Sequence, residues 1–152
     1  MLPKYHILLG FIFSSAIFLI FPKVSFFYAG VIFLSSFLID IDHYIYYILK
    51  KRNFNPKKSV KYFFDKKLKM EKIPREERKK YYSGFYFLHG IEPVLVLSLL
   101  GTFINKIFFF ILFGFSFHLI LDFAYLIYKK KRIDKIFIIY DFFKFKKLKE
   151  IE

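Results

Sequence analysis

Apolar residues in this chain fall in four long runs, at about residues 5–21, 24–49, 84–101 and 107–128, and basic residues fill the gaps between and after them. A hydrocarbon core of about 30 Å needs roughly 20 helical residues at 1.5 Å rise each. The second and fourth runs meet that length, and the first and third lie near its lower limit. The pattern predicts an all-α, polytopic membrane protein with four transmembrane helices in a single domain spanning residues 1–152. The first run lacks a basic leader region and a convincing cleavage site, so it is read as a retained helix. Short links at Pro22-Lys23 and at residues 102–106 join the runs into two hairpins.

Composition sharpens this picture. The chain is 57% hydrophobic and 24% aromatic, yet 25% charged, with a net charge of +14. A water-soluble domain of this length cannot bury 25 Phe and 12 Tyr, because too much of it is surface. Of the 26 Lys and Arg, 24 lie before the first run, in the loop 50–83 or in the tail 129–152; only Lys23 and Lys106 fall elsewhere. With four crossings, all 24 share one side, and the positive-inside rule makes that side the cytoplasm of a plasma or inner membrane. Within the loop, Pro74 to Arg78 reads as a helix start. Tyr62-Phe63-Phe64 and Tyr81-Tyr82 read as aromatic groups at headgroup level. The tail reads as an amphipathic segment on the membrane surface. The expected partner of the basic face is anionic lipid, with nucleic acid disfavoured.

The chemistry-bearing residues sit inside the runs. His6, His43, His89 and His118 fall one per run, accompanied by Asp40, Asp42, Glu92 and Asp122. Each ionisable group near a helix centre costs about 2.5–3.5 kcal/mol on insertion scales, so eight persist most easily where they converge. The four-span topology puts them all at similar depth in the cytosolic half. The spacing of His118 with Asp122 (i,i+4), and of His89 with Glu92 and Asp40 with His43 (i,i+3), predicts shared helix faces. In a regular helix Asp42 points away from Asp40, so it serves another neighbour or a second ion, or the helix is distorted there. Helical bundles build metal centres from such His–carboxylate sets. Cysteine is absent, so any metal is held by His, Asp or Glu. A divalent ion is expected, Zn²⁺ first, with Mn²⁺ or Fe²⁺ as alternatives.

At these residues the chain resembles the YdjM-like family of membrane-bound metal-dependent hydrolases. The resemblance rests on His6, on Asp40-Ile41-Asp42-His43, on Leu88-His89-Gly90 and on His118 to Asp122, in order over residues 1–128. The Lys-rich loop and the tail depart from it. It implies a metal-dependent hydrolase. On that reading His43, His89, His118, Asp40 and Asp122 are the preferred ligands, and His6 with Asp42 completes a second metal position. Glu92 is the candidate general base and Asp42 the second candidate catalytic carboxylate. An amphiphilic phosphoester, such as a phospholipid, suits a site open to a basic membrane face. Two other classes fit the same residues: a metal-ion or proton transporter, and a non-enzymatic membrane adaptor whose polar cluster is structural.

Overall fold

The computed structural model describes residues 3–74, 76–128 and 136–151. Among the described residues the chain is mostly helical, with one pair of two-residue strands. It divides into two compact units, one of residues 1–40 and 88–136, the other of residues 41–87 and 137–152.

The first unit holds α1 (Pro3–Ile20), α2 (Phe26–Leu38), α5 (Ile91–Phe103) and α6 (Ile107–Tyr128). Helix α2 lies against both α1 and α6, and α5 packs on α6. Small residues make this possible. A Cβ on Gly10 would meet Ser36 Oγ at 2.0 Å, and one on Gly114 would meet the Ile32 carbonyl and Ser35 Oγ at 2.2 Å. Close backbone approach through small residues is how apolar helices gain van der Waals contact in lipid. The serines turn their hydroxyls back on their own helices, Ser35 to the Val31 carbonyl and Ser36 to that of Phe33. Their polarity is thereby satisfied without a partner helix. Stacked rings reinforce the packing, Phe13 on Phe117 at 4.0 Å and Tyr28 on Phe110 at 4.1 Å.

Among the described residues, three helical segments are long and apolar enough to cross a membrane: Pro3–Ile20, Phe26–Lys51 and Ile107–Tyr128. They mark a membrane protein. The third expected span differs from its sequence reading. Helix α5 has 13 residues, about 20 Å of rise, which is short of a hydrocarbon core. It starts at Ile91 because Gly90 caps it in extended conformation and Pro93 occupies its first turn, where a missing N–H costs nothing. Residues 84–90, read from sequence as its first turns, are not helical. The second run is also interrupted: α2 ends at Leu38, and α3 (Ile41–Lys51) begins after a turn at Ile39-Asp40. The distortion allowed for at Asp42 therefore exists, two residues before it.

The second unit contains α3, α4 (Pro56–Lys72), a 3₁₀ turn (Glu77–Lys80), β1 (Tyr81–Tyr82), α7 (Ile138–Phe145) and β2 (Lys149–Glu150). Helix α4 was not anticipated. Asn55 caps it by accepting from the Lys57 and Lys58 amides, and Pro56 opens it. Its end is covered by Arg78, whose guanidinium donates to the Ile73 and Glu71 carbonyls. The helix start expected at residues 74–78 is instead the 3₁₀ turn that follows; Arg75 lies outside the described residues. Tyr62 and Phe63 pack against Tyr47 and Tyr86 within the unit rather than facing outward, while Phe64 is exposed. Strands β1 and β2 pair in parallel, Tyr81 opposite Lys149 and Tyr82 opposite Glu150. The Glu150 carboxylate accepts from Lys50 Nζ at 2.7 Å, and from Lys66 Nζ and Tyr46 Oη at 2.5 Å. Of the expected tail segment, residues 129–135 and 152 lie outside the described residues.

Candidate metal centre

Five of the predicted residues meet at one end of the first unit. His6 lies in the first turn of α1, Asp40 just past the end of α2, His89 just before α5, and His118 and Asp122 one turn apart in α6. His6, His89 and His118 are buried, at 5% exposure or less. The side chains of Asp40 and Asp122 keep 26% exposure, which leaves the cluster open on the carboxylate side.

His118 is the fixed point of the arrangement. Its Nδ1–H donates to the backbone carbonyl of Ser36 at 2.9 Å. That carbonyl is one of the last four of α2, which lack partners within a helix. Because the chain turns at Ile39-Asp40, the Asp40 amide bonds to Phe37 instead and leaves Ser36 available. In the neutral imidazole, a proton on Nδ1 leaves a lone pair on Nε2. This Nε2 is buried without a hydrogen-bond partner among the described residues, and it faces Asp40 Oδ1 and Asp122 Oδ2, each at 3.7 Å.

The other imidazoles complete the shell. His6 Nε2 is 3.2 Å from Asp122 Oδ1, and the His6 ring stacks on His118 with centroids 3.9 Å apart and planes 15° from parallel. His89 Nε2 is 3.4 Å from Asp40 Oδ1 and 3.9 Å from Asp122 Oδ2, with its ring edge-on to His118. Imidazole nitrogens and carboxylate oxygens are thus held 3.2–3.9 Å apart in a mostly buried setting. The His118 lone pair facing two carboxylates is repulsive unless a cation lies between them. Ligand atoms about 2.1 Å from a tetrahedral ion stand about 3.4 Å apart, which is the spacing found. This His/Asp group can hold a metal ion, and the ligand atoms of His6, His118 and Asp122 alone lie within 4.8 Å of one another.

The remaining predicted residues are Asp42, His43 and Glu92. Asp42 and His43 belong to the second unit. There the fully buried Asp42 carboxylate accepts from His43 Nδ1 at 2.7 Å, and the His43 ring stacks on Tyr86 at 3.8 Å with Phe63 edge-on at 5.3 Å. Glu92 sits in the first turn of α5 with Oε2 buried. His89 precedes that helix, so the shared helix face that singled out Glu92 does not exist. Sequence reasoning missed the Ser36 carbonyl. Its only sequence signal is the run of small residues Gly10, Ser35, Ser36 and Gly114 that brings α2 against its neighbours.

No family model, curated protein or solved structure matches this chain.

Proposed function

We propose that the chain is a membrane-bound, metal-dependent hydrolase of the YdjM-like kind, acting on an amphiphilic phosphoester at the cytosolic face of the membrane. The observation that supports it most is the convergence of His6, Asp40, His89, His118 and Asp122, with His118 Nε2 held as an acceptor. Three imidazoles and two carboxylates favour Zn²⁺, with Mn²⁺ or Fe²⁺ compatible with the same ligands. A bound divalent ion supplies positive charge to a phosphoryl oxygen and lowers the pKa of nearby water.

The chain's own groups supply the rest. Ser36 fixes the His118 tautomer, and the stack of His6 on His118 orients the second imidazole. Asp122, placed between His6 and His118, neutralises charge. Asp40 and Asp122 form the exposed side, where a substrate would enter. Glu92 and Asp42 remain the proposed proton-handling carboxylates, and His43 and Asp42 the proposed further ligands. The cytosolic placement rests on the 24 basic residues, with α5 and its flanks as the fourth crossing.

The test is to purify the chain in detergent, load it with Zn²⁺, Mn²⁺ or Fe²⁺, and assay phosphoester and acyl-ester substrates. Metal-dependent phosphoester hydrolysis that His118→Ala abolishes is the expected result. Bound metal without turnover on any of these substrates contradicts hydrolysis, and metal uptake into proteoliposomes would then identify a transporter.

A further inference from the structure

Helix α7 is amphipathic in the wrong sense for water. Its inward stripe carries Asp141, only 4% exposed, together with Phe145 at 7%. Its outward stripe carries Ile139, Tyr140, Phe142 and Phe143, exposed at 66%, 64%, 45% and 60%. A helix facing water on that side would turn Asp141 out and these four in. The outward groups are dressed with cations. Lys146 Nζ lies 4.4 Å from the Phe142 ring centroid and 5.8 Å from that of Phe143, and Lys144 Nζ lies 5.7 Å from that of Tyr140. An aromatic face whose lysine stems run along it, with ammoniums at its margin, is chemically suited to the boundary between acyl chains and anionic headgroups.

Chain connectivity puts the helix within reach of that boundary. The Ile136 carbonyl, two residues before α7, accepts from the amide of Ile91, the first residue of the apolar helix α5. In sequence, Ile136 also follows the end of the membrane-length helix α6 by eight residues, which reach at most about 28 Å.

We propose that the outward face of α7 docks into the surface of an anionic lipid leaflet and tethers the second unit to the membrane. The proposal rests on membrane embedding of α6, and it is independent of catalysis and of bound metal.

The chain contains no Trp, so one introduced indole reports alone. Full-length F143W, with Y140W as a second reporter, is reconstituted into phosphatidylcholine vesicles with and without phosphatidylserine. It is then titrated with acrylamide and with lipids brominated near the top of the acyl chain. F113W, on an exposed position of α6, serves as the control for embedding. With phosphatidylserine present, the indole at position 143 is expected to be blue-shifted, quenched by brominated lipid and shielded from acrylamide. Adding K144E and K146E should lower the ratio of docked to undocked helix by about tenfold or more, given the attraction of each basic residue to an anionic surface. With F113W quenched by lipid, an F143W indole open to acrylamide and blind to brominated lipid overturns the proposal. One shielded from both also overturns it and points to a second copy on that face. Lipid quenching indifferent to phosphatidylserine overturns the anionic specificity.

Discussion

The Nδ1–H of His118 donates to the backbone carbonyl of Ser36 at 2.9 Å, joining the middle of α6 to the last turn of α2. One bond therefore couples helix packing to the chemistry of the cluster. It depends on how closely α2 approaches α6, and it decides which imidazole nitrogen faces Asp40 and Asp122.

Gly114→Val should disturb both. A Cβ at this position already collides with the Ile32 carbonyl and Ser35 Oγ, and the first of these is backbone that cannot rotate away. Overpacking of this kind costs about 1–3 kcal/mol, and loss of the Ser36 bond should weaken metal affinity about 10–100-fold. Thermal melts and metal titration in detergent measure the two effects. A loss of stability with affinity unchanged would show that Ser36 does not orient His118.

Metal removal should destabilise the first unit. An ion bound to the folded state at a free concentration 100 times its Kd contributes about 2.7 kcal/mol. A chelator should therefore lower the melting temperature of the wild-type chain and leave that of His118→Ala unmoved. An equal response from both would place the stabilising ion elsewhere.

Much of this was legible in the sequence, and the failures have physical causes. Apolar runs and basic gaps are signals of the solvent, and they located α1, α2 and α6. The cost of ionisable groups in lipid grouped eight residues, and the first unit brings His6, Asp40, His89, His118 and Asp122 of these together. Local helix signals carry the remaining boundaries. Gly90 and Pro93 mark the late start of α5, and Asn55-Pro56 marks α4. The spacing argument for Glu92 with His89 needs an unbroken helix, and the chain is not helical before Ile91. The Ser36 carbonyl was beyond reach, because a backbone acceptor carries no residue identity.

The N-cap of α4 gives a test outside the cluster. Asn55→Ala removes the acceptor for the Lys57 and Lys58 amides and should cost about 1 kcal/mol. Hydrogen exchange should show faster exchange of the first turn of α4. Unchanged protection there would mean that Pro56 alone sets the start of the helix.

Glu150 should make the C-terminal strand acid-labile. Burial opposes ionisation of its carboxyl, but hydrogen bonds from Lys50, Lys66 and Tyr46 outweigh burial and hold it down at about 2, against an ordinary 4.5. The folded value is the depressed one, so this stabilisation is fully present above about pH 4.5 and is lost as pH falls through about 2. Protease protection of residues 149–151 should fall over that window. Glu150→Gln should flatten the dependence, and an unaltered acid limb in that variant would assign the transition to another carboxylate.

The central claim is that His6, Asp40, His89, His118 and Asp122 hold a divalent metal ion. Elemental analysis of the detergent-purified chain, with His118→Ala and Asp122→Asn alongside, tests it most directly. Stoichiometric Zn²⁺, Mn²⁺ or Fe²⁺ in the wild type, lost in both variants while their helix content is retained, is the predicted result. Metal at background level in the wild type after supplementation, or retained in full by both variants, would contradict it.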